Sequence, residues 1–274
     1  MSTLSIRDLT IDIGRPLVRG VSFELEPGRI HGLAGESGSG KTLTSLAVLG
    51  LLPRQARTGG SILLAGEEIL GLGRRALNRI RGKRIAMIFQ DPSASLHPQL
   101  PVGRQLTDHL RVHLGLKGKA ARARAEELLE IVQVPRAAEA LGRYPHQFSG
   151  GQRQRIAIAC ALACEPEVLL ADEPTTALDV TVQAGILQLL RDLATERRLA
   201  VLLVTHDLGV MSAIADEVAV MKDGLIVERA DRETLFRDPQ HEYTRALLAA
   251  LPGSKIEAPD AEWADAVTKG EIDE

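Results

Sequence analysis

Apolar residues nearly alternate with polar ones at Leu4, Ile6, Leu9, Ile11 and Ile13, and again at Val21, Phe23 and Leu25 after a break at residues 14–16. That period predicts two antiparallel strands with one face toward a core. A Glu26-Pro27-Gly28 turn leads into 30–34, a short apolar strand, and 61–65 and 85–89 read as further strands, the last followed by Gln90 and Asp91. From 92 to about 150 the texture turns helical, with 120–132 rich in Ala, Glu, Arg and Leu and stopped by Pro135, so we expect a helical subdomain inserted there. Ser149 is placed to cap a helix that runs through Ala163 and stops at Glu165-Pro166. Then come a buried strand at 168–171, a helix at 180–197 with Val182, Ile186, Leu189, Leu190 and Leu193 on one face, and a strand at 200–204. This alternation predicts an α/β fold with a mainly parallel sheet covered on both faces. Val218 and Leu225 open two more strands around Asp223-Gly224, a tight hairpin signal. Ligands collect at the carboxyl ends of such parallel strands, where Gln90, Asp172, Glu173 and His206 fall.

Composition narrows the partners. At 274 residues with 45% apolar and 25% charged residues the chain can bury a full core. A net charge of -3 and an aromatic fraction of 3% argue against nucleic acid as a main partner. No apolar run approaches the length of a bilayer and MSTLSIRDLT lacks a signal-peptide layout, so the expected location is cytoplasmic. Cys160 and Cys164 are expected as small buried residues on one helix, and His109 and His113 as a surface pair, since no Glu stands beside His109. Residues 253–274 are acidic and poor in core residues, which predicts a loosely held tail after a domain at 1–252.

The chemistry centres on GESGSGKT: Gly35, Glu36, Ser37, Gly38, Ser39, Gly40, Lys41 and Thr42 fit G-x-x-x-x-G-K-[ST] at every fixed position. Backbone N–H groups of residues 37–42 can close around β- and γ-phosphates, because the three glycines permit the turn and the close approach. Lys41 adds a point charge, and Thr42 opens a helix whose positive terminus faces the phosphates and whose hydroxyl is the expected magnesium ligand. We expect Leu43, Leu46, Ala47 and Gly50 to form that helix's apolar face. Such a pattern alone turns up by chance in about one chain in a hundred of this length. Here the strand at 30–34 runs straight into it, which is the context the motif needs. Asp172, just after an apolar strand, suits a magnesium site, and a second acid beside it, Glu173, can take the proton of a water attacking the γ-phosphate.

With FSGGQRQR at 148–155 ahead of the acidic strand, the chain resembles the ATP-binding subunit of an ABC transporter over about residues 4–252. The motifs stand in that family's order: phosphate loop, Gln90, signature, magnesium strand, Ala177-Leu178-Asp179, His206. The resemblance implies a P-loop NTPase core with an antiparallel β subdomain and the helical insert, binding ATP with Mg2+. It makes Glu173, His206 and Gln90 catalytic, with Thr42, Gln90 and Asp172 toward the metal. It also implies a head-to-tail dimer with a related or identical ATPase subunit. There Ser149, Gly150, Gly151 and Gln152 of one chain close over the ATP of the other, and Asp179 works across the interface. The physical logic of the signature is a helix start offering a hydroxyl and N–H groups, an anion site with no phosphate of its own.

Finer features, DPSASLHP at 91–98, DEPTTALDVTVQ at 172–183 and PQHEYTRALL at 239–248, look like the peptide/nickel group of importers. PLVRGVSFELEPGRI is similar to nickel-importer ATPases in particular. The resemblance implies two permease subunits, an external solute-binding protein reached indirectly, and a peripheral place on the cytoplasmic face of the membrane. Two departures stand out. No Cys follows residue 253, so the iron–sulfur centre of some members cannot form, and Ile13 stands where the family stacks an aromatic on adenine. The rival class is a soluble non-transport ABC ATPase, but those carry two cassettes or a long coiled-coil insertion.

Overall fold

The computed structural model describes residues 2–176 and 178–251. The tail expected at 253–274 and Ala177 lie outside them. The strands among the described residues are β1 (Leu4–Asp12), β2 (Pro16–Leu25), β3 (Ile30–Ala34), β4 (Arg57–Leu64), β5 (Glu67–Glu68), β6 (Ile85–Ile88), β7 (Val168–Asp172), β8 (Ala200–Thr205), β9 (Glu217–Lys222) and β10 (Leu225–Asp231). The described helices are α1 (Lys41–Val48), α2 (Arg74–Ile80), α3 (Pro92–Ser95), α4 (Val102–Leu114), α5 (Gly118–Ile131), α6 (Ala137–Ala140), α7 (Gly150–Leu162), α8 (Val180–Arg197), α9 (Leu208–Ile214), α10 (Arg232–Arg237) and α11 (Glu242–Ala249). A 3-10 turn, Pro145–Gln147, precedes α7.

The strands form two sheets: an antiparallel one in the order β2-β1-β4-β5, and a six-stranded one in the order β10-β9-β3-β8-β7-β6, parallel except for β10. Parallel strands buried on both faces divide their side chains between two cores. Val168, Leu170, Leu202 and Val204 pack toward the antiparallel sheet, whereas Leu169, Ala171, Val201 and Leu203 pack toward the helices. Apolar residues of α4 and α5, such as Leu106 and Leu128, belong to that second cluster, so the inserted helices share a contiguous core with the sheet. No helix among the described residues is long and apolar enough to cross a membrane.

Local differences from the sequence expectations have physical causes. The alternation in β1 is imperfect because a bulge separates Ile6 from Leu9, with Asp8 at φ 46° and its N–H donated to Ser22 Oγ at 2.7 Å. Gly60 answers it across the sheet, where a Cβ would lie 2.4 Å from the Asp8 carbonyl oxygen. This pairing extends β4 back to Arg57, ahead of the expected start. The apolar face expected for α1 is corrected: Lys41, Thr44, Ser45, Ala47 and Val48 are its buried residues, Leu43 and Leu46 are only half-buried, and Gly50 is exposed beyond the helix end. Close packing on β7 admits small side chains there, and the Thr44 hydroxyl is satisfied by the Gly40 carbonyl at 3.1 Å. Cys164 lies past the end of α7, so the two cysteines do not share a helix; both are free thiols whose pKa burial raises. His109 is exposed, but His113 is half-buried, its ring stacked on His109 and seated over Gly82.

Candidate functional site

β3 delivers the chain into the loop at 35–40, and α1 leads out of it. Gly35, Gly38 and Gly40 take φ values of 145°, 84° and 106°, a region that side chains resist. Their surroundings differ. A Cβ on Gly35 would lie 2.1 Å from the Met221 carbonyl oxygen and one on Gly40 3.0 Å from that of Leu17, whereas Gly38 faces open space. Two glycines therefore let the loop nest against β9 and β2, and the third leaves its mouth clear. Lys41, only 6% exposed, donates from Nζ to the carbonyls of Gly35 at 2.6 Å and Glu36 at 2.8 Å. Burial lowers its pKa, opposed by the nearby carboxylates of Glu173, Asp172 and Glu36.

The start of α1 is built to receive an anion. Its N-cap is Gly40 with no side-chain bond, unlike α7, α8 and α9, which Ser149, Asp179 and Asp207 cap. The first N–H groups of α1 are thus free of any side-chain partner. Ser39 Oγ is also buried without a partner among the described residues, while Glu36 and Ser37 are exposed.

The ends of β6, β7 and β8 bring Gln90, Asp172, Glu173 and His206 together, as strand-end logic expected. Asp172 turns toward α1, where its Oδ1 accepts from Thr42 Oγ1 at 3.3 Å. Burial raises its pKa and the adjacent Glu173 adds to this, against the Thr42 bond and the Lys41 charge. Glu173 turns the other way, forced by a backbone at φ 46° and pinned by its N–H to the Val204 carbonyl at 2.7 Å. Its carboxylate accepts from Gln90 Nε2 at 2.7 Å and Thr176 Oγ1 at 3.0 Å, and pairs with His206 Nδ1 at 2.8 Å. The Glu173 side chain is 17% exposed and that of His206 59%, so the acid sits below an imidazole open to solvent. Thr176 was not among the expected residues.

The remaining expected residues do not join this cluster. Ser149 Oγ accepts from the Gln152 N–H at 3.3 Å and Gln152 Oε1 accepts from the Ser149 N–H at 3.2 Å, a reciprocal cap on α7. Gly151 is required by packing, since a Cβ there would meet Val182 Cγ1 at 2.4 Å. Asp179 caps α8, accepting from the Val182 N–H at 2.9 Å. Ile13 follows β1, half-buried against the antiparallel sheet's core, a few residues from the Leu17 carbonyl that abuts Gly40.

Comparison with known proteins agrees with this geometry. Residues 18–176, more than half of the chain, match the family model described as ABC transporter. The chain is 48% identical to the dipeptide transport ATP-binding protein of Bacillus subtilis over 86% of its own length and 71% of that protein's. It is 45% identical to the oligopeptide transport ATP-binding protein of the same organism, over 91% of this chain and 72% of that one. It also superposes with a TM-score of 0.73 and 29% identity on a dimeric ATP-binding cassette solved in a post-hydrolysis state with ADP and Pi, covering 84% of this chain and 98% of that one.

Proposed function

Because this chain belongs to the ABC transporter family, we propose that the Lys41 loop and the Glu173 cluster form its ATP-hydrolysing site and that its cargo is a peptide. The chain is the ATP-hydrolysing subunit of an importer. The sequence left the solute open among peptides, nickel or a related small solute, and the two relatives named above, described as dipeptide and oligopeptide transport proteins, support peptide.

The observation that carries the site is the carboxylate of Glu173, held by three donors beside a loop that leads into a helix start with no side-chain cap. The β- and γ-phosphates of ATP would take the loop and Lys41, which must turn from the carbonyls of Gly35 and Glu36 to reach them. Thr42 and the buried Asp172 are oxygen donors that suit Mg2+, whose charge would offset the cost of an ionised Asp172 in this place. Bound there, the ion supplies neutralisation of charge on the β- and γ-phosphates. Glu173 takes the proton of the attacking water on the acceptor site that its three donors leave free. Gln90 and His206 are the two that can turn to the γ-phosphate instead, which ties their release to the arrival of substrate.

Ser149, Gly150, Gly151 and Gln152 serve the ATP of a second ATPase subunit, related or identical, and Asp179 lies at that junction. The domain at 1–252 meets two permease subunits through its helices at about 92–150, on the cytoplasmic face of the membrane, and so reaches an external solute-binding protein indirectly. The test is to mix a Lys41→Ala chain with a Ser149→Arg chain, each inactive alone. Recovery of about one intact site per mixed dimer supports sharing; no recovery at any ratio, with pairing demonstrated, overturns it.

A further inference from the structure

The phosphate loop is braced from outside by two segments late in the chain. Gly224, in the turn between β9 and β10, donates its N–H to the Ser39 carbonyl at 3.1 Å. The second brace is α11. Its Tyr243, 7% exposed and part of the main core, accepts the Glu36 N–H on its hydroxyl oxygen at 3.2 Å, with Lys222 Nζ 4.6 Å from the ring centre. The peptide unit between Gly35 and Glu36 is therefore held at both ends, its oxygen by Lys41 at 2.6 Å and its N–H by Tyr243. When Lys41 turns to a phosphate, the tyrosine is the holder that remains.

We propose that Tyr243 is a positioning residue of the phosphate loop, through which α11 sets the affinity for nucleotide; this rests on the site reading above. The helix is fit for it because its own place is fixed. Glu228 of β10 accepts the N–H groups of Gln240 at 2.7 Å and His241 at 3.0 Å, and His241 Nδ1 caps α11 by accepting the Tyr243 N–H at 3.1 Å. Arg245 closes the same turn by donating to the carbonyls of Pro239 at 3.1 Å and Gln240 at 3.0 Å. Without its N–H partner the plane can rotate as soon as Lys41 leaves the Gly35 carbonyl, and that freedom has to be lost for the phosphates to seat. Once the triphosphate is seated, the phosphates themselves hold the loop. The contact thus acts on affinity and leaves turnover alone.

The experiment uses the full chain with Tyr243→Phe, which keeps the ring and removes the acceptor. KM for ATP should rise about three- to tenfold, the size of one neutral hydrogen bond, with kcat within about twofold of the parent. Amide exchange at Glu36 in nucleotide-free protein should be slow in the parent and faster in the variant. An unchanged or lower KM, a fall in kcat without a rise in KM, or fast exchange at Glu36 in the parent overturns the inference, and the last needs no variant to fold. A Lys41→Ala control separates the two levels. If it still binds ATP, the site reading fails; if it does not and Tyr243→Phe binds normally, only the role of Tyr243 fails.

Discussion

Replacing Glu173 by Gln tests the chemistry with little disturbance of the fold. The amide is the same size and keeps one acceptor oxygen, which can face Gln90 and Thr176, while its NH2 group can donate to a neutral His206 at the present 2.8 Å. The strained backbone at φ 46° is unchanged, since its N–H bond to Val204 does not involve the side chain. Loss of stability should then stay within about 1 kcal/mol. The rate is another matter, because an amide cannot take a proton from water. Loss of a positioned base corresponds to at least about a hundredfold, or some 2.7 kcal/mol of barrier. Phosphate release at saturating ATP, ATP affinity and ATP-dependent size on a sizing column measure the three quantities. The expected result is slow release, retained affinity and an ATP-trapped dimer. Hydrolysis within a few-fold of the parent would refute the role given to Glu173.

Two further outcomes concern the base and the acid range. Ile13 offers only apolar contact where an aromatic would contribute about 1–3 kcal/mol, so GTP should support hydrolysis within about tenfold of ATP and Ile13→Tyr should tighten ATP by about 1 kcal/mol; a strong ATP preference with no gain in the variant would place the base elsewhere. His31 accepts the Glu26 N–H on Nε2 at 3.0 Å and directs Nδ1 to Glu217 at 3.1 Å, so its neutral form fits and burial lowers its pKa despite that carboxylate. With the folded value below the unfolded one of about 6.5, its contribution is complete above that pH and is lost as pH falls toward the folded value. Melts of the parent and His31→Gln between neutral and mildly acid pH should show a shallower decline in the variant, and equal slopes would sink the assignment.

What could be read in the chain divides by distance along it. The strands, the phosphate loop and the cap at Ser149 are local: alternation, a glycine pattern and a residue three positions on suffice to specify them. The face of α1 misled because its inward residues include Thr44 and Ser45: the Thr44 hydroxyl bonds the Gly40 carbonyl, Ser45 is buried with no hydrogen-bond partner among the described residues, and neither leaves a trace in an apolar period. The bulge at Asp8 escaped for a related reason, since what it needs is Gly60 on another strand.

Site residues follow the same rule. Gln90, Asp172, Glu173 and His206 were legible because each ends a strand, and a parallel sheet brings strand ends to one edge whatever the intervening sequence. Their partnerships were not: the turn at Glu173 that separates it from Asp172 is a backbone conformation no side-chain pattern encodes. Thr176 meets Glu173 only through that turn. Tyr243 is the extreme case, 207 residues from the N–H it accepts. Its seat depends on β10 and the Glu228 carboxylate that fixes the start of α11, so it becomes meaningful only after the sheet is complete. The groups proposed as catalytic lie at the strand ends that the fold must align in any case. Tyr243, which the proposal makes a positioning residue, instead comes from a helix far along the chain, and there a substitution should alter affinity for nucleotide without touching the chemistry.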